Sequence, residues 1–320
     1  MKSLLNGALK LLVSLALIFY LSGQVDMGGL EAVFKRLSPA WLVAAVVFFF
    51  ISNVLGAVQW YLLLQAQDLA VRFRQALGLY LVGVFFNNVL LGNIGGDAVR
   101  VYDIKRLTGR ASGGLAATFM DRFFGLFSLC TLALAAYPLI ARDQRAWVIS
   151  LLWPVWLGLL GLLALGLSRR LGQLFQTASG WLLPVRVATW VRGLQENIGI
   201  YRDHGGLLTG VFAIGLGVQF SRILVYWSAG MAVGLAAELI HFICFQPVAA
   251  ILAALPISIG GLGVRENTLV GLFGGVGVAQ ETATAMSLLG YSAGIIASLA
   301  GAVIFVARRI ERAGSAGEGN

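Results

Sequence analysis

Charge is what this sequence has least of. Only 12% of its 320 residues are Asp, Glu, Lys or Arg, well below the roughly 25% that a soluble domain uses to cover its surface. Cysteine and histidine are scarcer still, with two of each. Cys130 and Cys244 both sit inside apolar runs, which argues against a disulfide and against a thiolate metal centre. His204 and His241 have no partner at ligand spacing. There is no His-Glu-x-x-His helix, no nucleotide-binding P-loop and no Asp-x-x-x-Asp pair. The sequence therefore predicts a protein that is not an enzyme and uses no cofactor and no metal.

Apolar residues fill the space that charge leaves. They make up 59% of the chain, and the mean hydropathy is +0.86. This is the composition of an all-α polytopic membrane protein. Crossing about 30 Å of hydrocarbon takes about 20 apolar residues, and six runs reach that length: 4–23, 40–64, 111–140, 147–167, 207–236 and 283–307. Trp41, Trp60, Tyr61 and Trp147 lie near run ends, where amphipathic rings favour the headgroup level. Lys10 interrupts the first run and no small-x-small site follows it, so it reads as an anchored helix rather than a signal peptide. The 23 Lys+Arg against 14 Asp+Glu do not point to nucleic acid, because they cluster beside apolar segments as loop charges do.

Two further runs, 76–91 and 242–259, are shorter, and each ends in a glycine motif. Asn93-Ile94-Gly95-Gly96-Asp97-Ala98-Val99-Arg100 returns, altered, as Ser258-Ile259-Gly260-Gly261-Leu262-Gly263-Val264-Arg265. The offset is 165 residues, about half the chain. If both runs enter and leave on one side, 16 basic residues fall in the cytoplasm with both termini and 5 fall outside, and two lie within spans. That division predicts two re-entrant helical hairpins, one from each face, related by an inverted repeat in a cell inner membrane. Residues 1–145 form the first half, 206–312 the second, and 313–320 a disordered tail. Between them, 146–205 carries the fourth span and an amphipathic cytoplasmic helix, with Leu183, Val187, Trp190, Val191, Leu194, Ile198 and Tyr201 on its apolar face.

Several charges fall inside these apolar stretches, where each costs about 2.5–3.5 kcal/mol on insertion scales and so needs a partner or a purpose. They are Asp97 and Arg100 after the first glycine pair, Asp121 and Arg122 in the third span, Arg222 in the fifth, and Arg265 and Glu266 after the second pair. We read Arg100, Arg122, Arg222 and Arg265 as lining a polar cavity for an anionic group, since guanidinium forks suit phosphate oxygens. Asp97, Asp121 and Glu266 would balance them. Asn93, Gly95, Gly96, Ser258, Gly260 and Gly261 complete the expected site, their broken half-helices adding backbone N–H donors. Static ion pairs holding the bundle together are the competing reading.

The stretch from Asn87-Asn88 through Gly95-Gly96-Asp97 to Arg100, with Asp121-Arg122 downstream, resembles the lysylphosphatidylglycerol synthase transmembrane region family. So does Leu255-Pro256-Ile257-Ser258-Ile259-Gly260-Gly261 with Arg265-Glu266. The likeness covers roughly residues 5–310. It implies a flippase-like lipid translocase whose partner is a membrane lipid. The chain stops at Asn320, so the aminoacyltransferase domain of the best-known members is expected to be absent. Family members without that domain imply varied lipids, including isoprenoid phosphates, so no one substrate carries over. The alternative expectation is a non-transporting accessory subunit of a lipid or glycan biosynthetic enzyme. An intramembrane enzyme acting on a polyprenyl phosphate is the third, and a homodimer remains compatible with any of them.

Overall fold

A computed structural model describes residues 12–317, apart from 22, 24, 90–94, 140–144, 169–188, 190–198, 256 and 259. Among these residues the regular structure is helical throughout. In chain order the helices are α1 (Leu12–Leu21), α2 (Met27–Lys35), α3 (Pro39–Gln65), α4 (Phe73–Val89), α5 (Gly95–Thr108) and α6 (Ala111–Ala136). They continue with α7 (Arg145–Leu167), α8 (Gly205–Ala232), α9 (Leu239–Ala254), α10 (Val264–Gly274) and α11 (Gln280–Gly317). Of the described helices, α3, α6, α7, α8 and α11 are long and apolar enough to cross a membrane. Their outer faces carry exposed Val43, Phe50, Leu157, Leu162, Leu299 and Val303, as a hydrocarbon surrounding requires. The expected first span is described only over Leu12–Leu21.

Two details depart from the sequence reading. Helix α2 is an element it did not anticipate: the Asp26 carboxylate accepts the N–H groups of Gly28 (3.1 Å) and Gly29 (2.9 Å) and starts a helix in what reads as a loop. The tail expected to be disordered from 313 instead continues α11 to Gly317, and 318–320 lie outside the described residues. Most of the amphipathic connector also lies outside them. Its last apolar residue, Tyr201, is fully buried and donates to the Leu63 carbonyl at 3.1 Å, tying the connector's end to α3.

Both short runs fold back on themselves. Helices α4 and α9 have 17 and 16 residues, or about 25 Å at 1.5 Å per residue, less than the thickness of the hydrocarbon core. At the end of α4 the chain reverses and α5 lies against it. The Asn87 side-chain oxygen accepts the Gly96 N–H at 2.8 Å, and a Cβ on Gly96 would collide with the Gly83 carbonyl. At the end of α9, the turn into α10 uses three left-handed glycines, Gly260, Gly261 and Gly263, with φ of +60°, +78° and +80°. The two glycine pairs look alike in sequence but differ in use. Gly96 permits close approach of two backbones, whereas Gly260 and Gly261 turn the chain, Gly261 also passing close to Ala253 of α9.

Gly96→Val should therefore force the arms of the first hairpin apart. A backbone shift of this kind costs about 1–3 kcal/mol, so the thermal midpoint of the purified protein should fall by about 5 °C or more. Gly158→Val on α7, where nothing lies within 4 Å of the added Cβ, is the matched control. Equal melting of the two variants would contradict the close approach.

The order long helix, hairpin arm, hairpin arm, long helix occurs twice, as α3–α6 and α8–α11. Exchanging the halves maps their packing onto itself: α4 packs on α11 as α9 packs on α6, and α3 packs on α11 as α8 packs on α6. The leading helices α3 and α8 pack on each other and run antiparallel. The Ser38 N–H donates to the Ala232 carbonyl (2.8 Å), Trp41 meets Trp227 edge-on at 5.2 Å, and Gln59 faces Gly215. Corresponding helices running in opposite directions make this an inverted repeat. Two apolar clusters, one centred on α3, α4 and α6 and the other on α8 to α11, form the core.

Candidate functional site

Between the two halves lies a cavity of about 550 Å³, within the range of small-molecule sites. It is lined by Arg100 from α5, Arg122 from α6, Arg222 from α8 and Arg265 from α10, so four separate elements each contribute one guanidinium. Asn87, Asn88, Gln59, Gln219 and Gln246 add amides, and Tyr80, Tyr226 and Tyr291 add aromatic wall.

The four arginines have different surroundings. Arg100 is 3% exposed and held through both terminal nitrogens, its Nε alone lacking an acceptor among the described residues. Its Nη2 bonds Asp97 at 2.6 Å, its Nη1 bonds Asp121 at 3.0 Å, and its guanidinium lies 4.9 Å from the Tyr80 ring centroid and 5.1 Å from that of Trp60. A cation between two rings and two acids is a scaffold centre. Arg122 is 47% exposed and grips the same Asp97 by two bonds, Nε at 2.9 Å and Nη2 at 3.0 Å. Arg265 pairs with its neighbour Glu266 at 3.0 Å and lies over Tyr291 at 4.5 Å. Arg222 differs from all three in having no acid. No hydrogen bond or ion pair joins it to another described residue, and its Nε, like that of Arg100, is buried without an acceptor.

This geometry sorts the residues expected from sequence. Arg100, Asp121, Arg122, Arg222, Gly260 and Arg265 line the cavity. Asp97 and Glu266 do not line it; they stand behind the arginines they pair with. Gly95, Gly96, Ser258 and Gly261 are also not in the lining. Asn93 falls outside the described residues. The half-helix N–H donors are partly spoken for as well. Gly96 N–H goes to Asn87, and Gly263 N–H goes to the second Glu266 oxygen at 2.7 Å. Side chains thus cap these broken ends before any anion arrives.

Residues outside the expected set also belong to the site. Gln59 donates to the Asp121 carboxylate at 3.2 Å and fixes it, while Tyr226 sits one turn after Arg222 on α8. The available signal was polarity inside apolar spans, which applies to Gln59 and Gln246; the tyrosines carry no such mark. The letters Gly-x-Ser-x-Gly at 290–294 do not form a nucleophile elbow, because they lie within α11 and the Ser292 hydroxyl donates to the Leu288 carbonyl at 2.8 Å.

An inverted pair of helical hairpins around an arginine-lined cavity is the setting in which comparison with known proteins becomes informative. The family described as Lysylphosphatidylglycerol synthase TM region matches residues 7–308. The chain belongs to this family. A protein named UPF0104 membrane protein, from Methanothermobacter thermautotrophicus, is 24% identical to it over 320 residues, covering 90% of this chain and 89% of its own length. The match runs through both hairpins and all four arginines, so the cavity lies wholly within the family region.

Proposed function

We propose that this protein is a flippase-like translocase of the plasma membrane, moving an anionic phospholipid or isoprenoid-phosphate lipid between leaflets. Arg222 is the observation that carries this reading. A guanidinium unpaired among the described residues, beside three paired ones, gives the cavity one net positive charge, and holding such a charge at membrane depth without a purpose is costly. A phosphate oxygen is the acceptor its planar donors suit. The headgroup would occupy the cavity while the chains stay in lipid, and rocking of the inverted halves would expose the cavity to each side in turn. On this reading the protein does no covalent chemistry on the lipid.

Reconstitution tests the proposal. Proteoliposomes carrying an acyl-labelled anionic lipid should lose fluorescence to an impermeant quencher beyond the outer-leaflet share that protein-free vesicles lose. Recovered lipid should have unchanged mass. Quenching confined to the outer leaflet would favour the accessory-subunit reading instead, and a changed mass would favour an enzyme.

Topology is part of the proposal: both termini cytoplasmic, and each hairpin re-entrant from its own face. Cys130 and Cys244 are both buried, so an introduced thiol can be read against a quiet background. Lys105→Cys should resist an impermeant maleimide in intact cells, whereas Glu281→Cys should react. Outside labelling at position 105 would refute the re-entrant arrangement.

A further inference from the structure

We infer that the cavity selects a phosphodiester lipid with one net negative charge and a neutral, hydroxyl-bearing headgroup, and rejects both diphosphates and ammonium headgroups. The inference rests on the translocase reading in taking a lipid as the occupant. Its first support is the charge balance. Arg100, Arg122 and Arg265 are matched by Asp97, Asp121 and Glu266, and of the four only Arg222 has no acid partner among the described residues. One phosphodiester neutralises that remainder. A diphosphate would leave surplus negative charge in a site of low dielectric, where uncompensated charge is expensive.

The second support is that every carboxylate oxygen in the cluster already accepts at least one hydrogen bond from the protein. Asp121 Oδ1 accepts from Gln59 and Oδ2 from Arg100. Asp97 Oδ1 accepts from Arg100, Arg122 and the Asn87 amide, and Oδ2 from Arg122. Glu266 Oε1 accepts from Arg265 and Oε2 from the Gly263 N–H. A headgroup ammonium would meet a net positive cavity whose acids are already engaged by arginines.

The third support is Gln246, a cavity-lining residue 8% exposed, whose amide oxygen is buried without a partner. An unpaired buried amide calls for a ligand group that can donate or accept. A hydroxyl does both, so it satisfies the amide in either orientation. Glycerol and sugar headgroups share this chemistry.

The test measures binding of short-chain probes to the purified full chain in detergent. Dihexanoyl phosphatidylglycerol and a geranyl-phosphate hexose represent the two hydroxyl sources. Dihexanoyl phosphatidylmethanol is the monoanion without hydroxyls, and geranyl diphosphate and dihexanoyl phosphatidylethanolamine are the excluded classes. At least one hydroxyl-bearing probe should bind about 3- to 10-fold tighter than phosphatidylmethanol, the worth of one hydrogen bond. Gln246→Leu should erase that preference. Diphosphate and ethanolamine probes should bind about tenfold weaker than the best monoanion, or less. Arg222→Gln should weaken every monoanion about 10- to 100-fold. Diphosphate or ethanolamine binding as tight as the hydroxyl-bearing probes would overturn the inference. So would equal binding of phosphatidylmethanol and both of those probes, and in either case a weakened Arg222→Gln would leave the anion-carrying reading standing. Arg222→Gln binding phosphatidylmethanol as tightly as the wild type would bring down both.

Discussion

Arg100→Gln is expected to collapse the protein. Arg100 is the shared counter-ion of Asp97 and Asp121, and it is enclosed by the Tyr80 and Trp60 rings. Removing it leaves the Asp121 carboxylate buried with only the Gln59 amide on its side chain, and leaves Asp97 with Arg122 and the Asn87 amide. Breaking a buried pair by deleting one partner costs about 3–5 kcal/mol. For a chain of this size, that shift lowers the thermal midpoint by about 10 °C. Differential scanning fluorimetry of the purified variant checks it. A midpoint within a degree or two of wild type would show that the Asp97–Arg100–Asp121 cluster is not what joins α5 to α6.

Arg222→Gln is expected to do the opposite. No acid is stranded by its loss, because no ion pair holds it. The melting midpoint should stay near wild type or rise, since a half-buried charge without a partner contributes no pair to lose. Lipid affinity should fall about 10- to 100-fold with the loss of a charge-assisted contact to phosphate. Arg222→Lys should recover only part of it, because a point ammonium cannot make the planar two-point contact. Lipid copurifying per folded molecule, measured by mass spectrometry beside the melting curve, separates the two arginines. Loss of stability with Arg100 and loss of lipid with Arg222 is the expected pattern.

The contrast between these two residues marks where the sequence stops being readable. Spans, hairpin breaks and the set of four cavity arginines all follow from one-dimensional signals: apolar run length, glycine pairs, and charges where charge is costly. Pairing does not follow. Asp121 and Arg122 are neighbours in sequence and look like a pair, yet successive helical residues point about 100° apart. Asp121 accordingly turns to Arg100, while Arg122 turns to Asp97. Which arginine lacks an acid depends on distances between α5, α6, α8 and α10 that no local pattern encodes. The glycine pairs mislead in a similar way, because close backbone approach at Gly96 and left-handed turning at Gly260 and Gly261 favour the same residue for different reasons. Helix α2 was overlooked because a single capping aspartate, Asp26, does in nine residues what the apolar runs do over twenty or more.

The most direct test of an anion-carrying cavity is the rate at which labelled anionic lipid crosses proteoliposome membranes containing Arg222→Gln, compared with wild type at equal folded protein. The account predicts wild-type crossing that collapses by about 10- to 100-fold in Arg222→Gln, with a partial return in Arg222→Lys. Equal crossing rates for wild type and Arg222→Gln would contradict it.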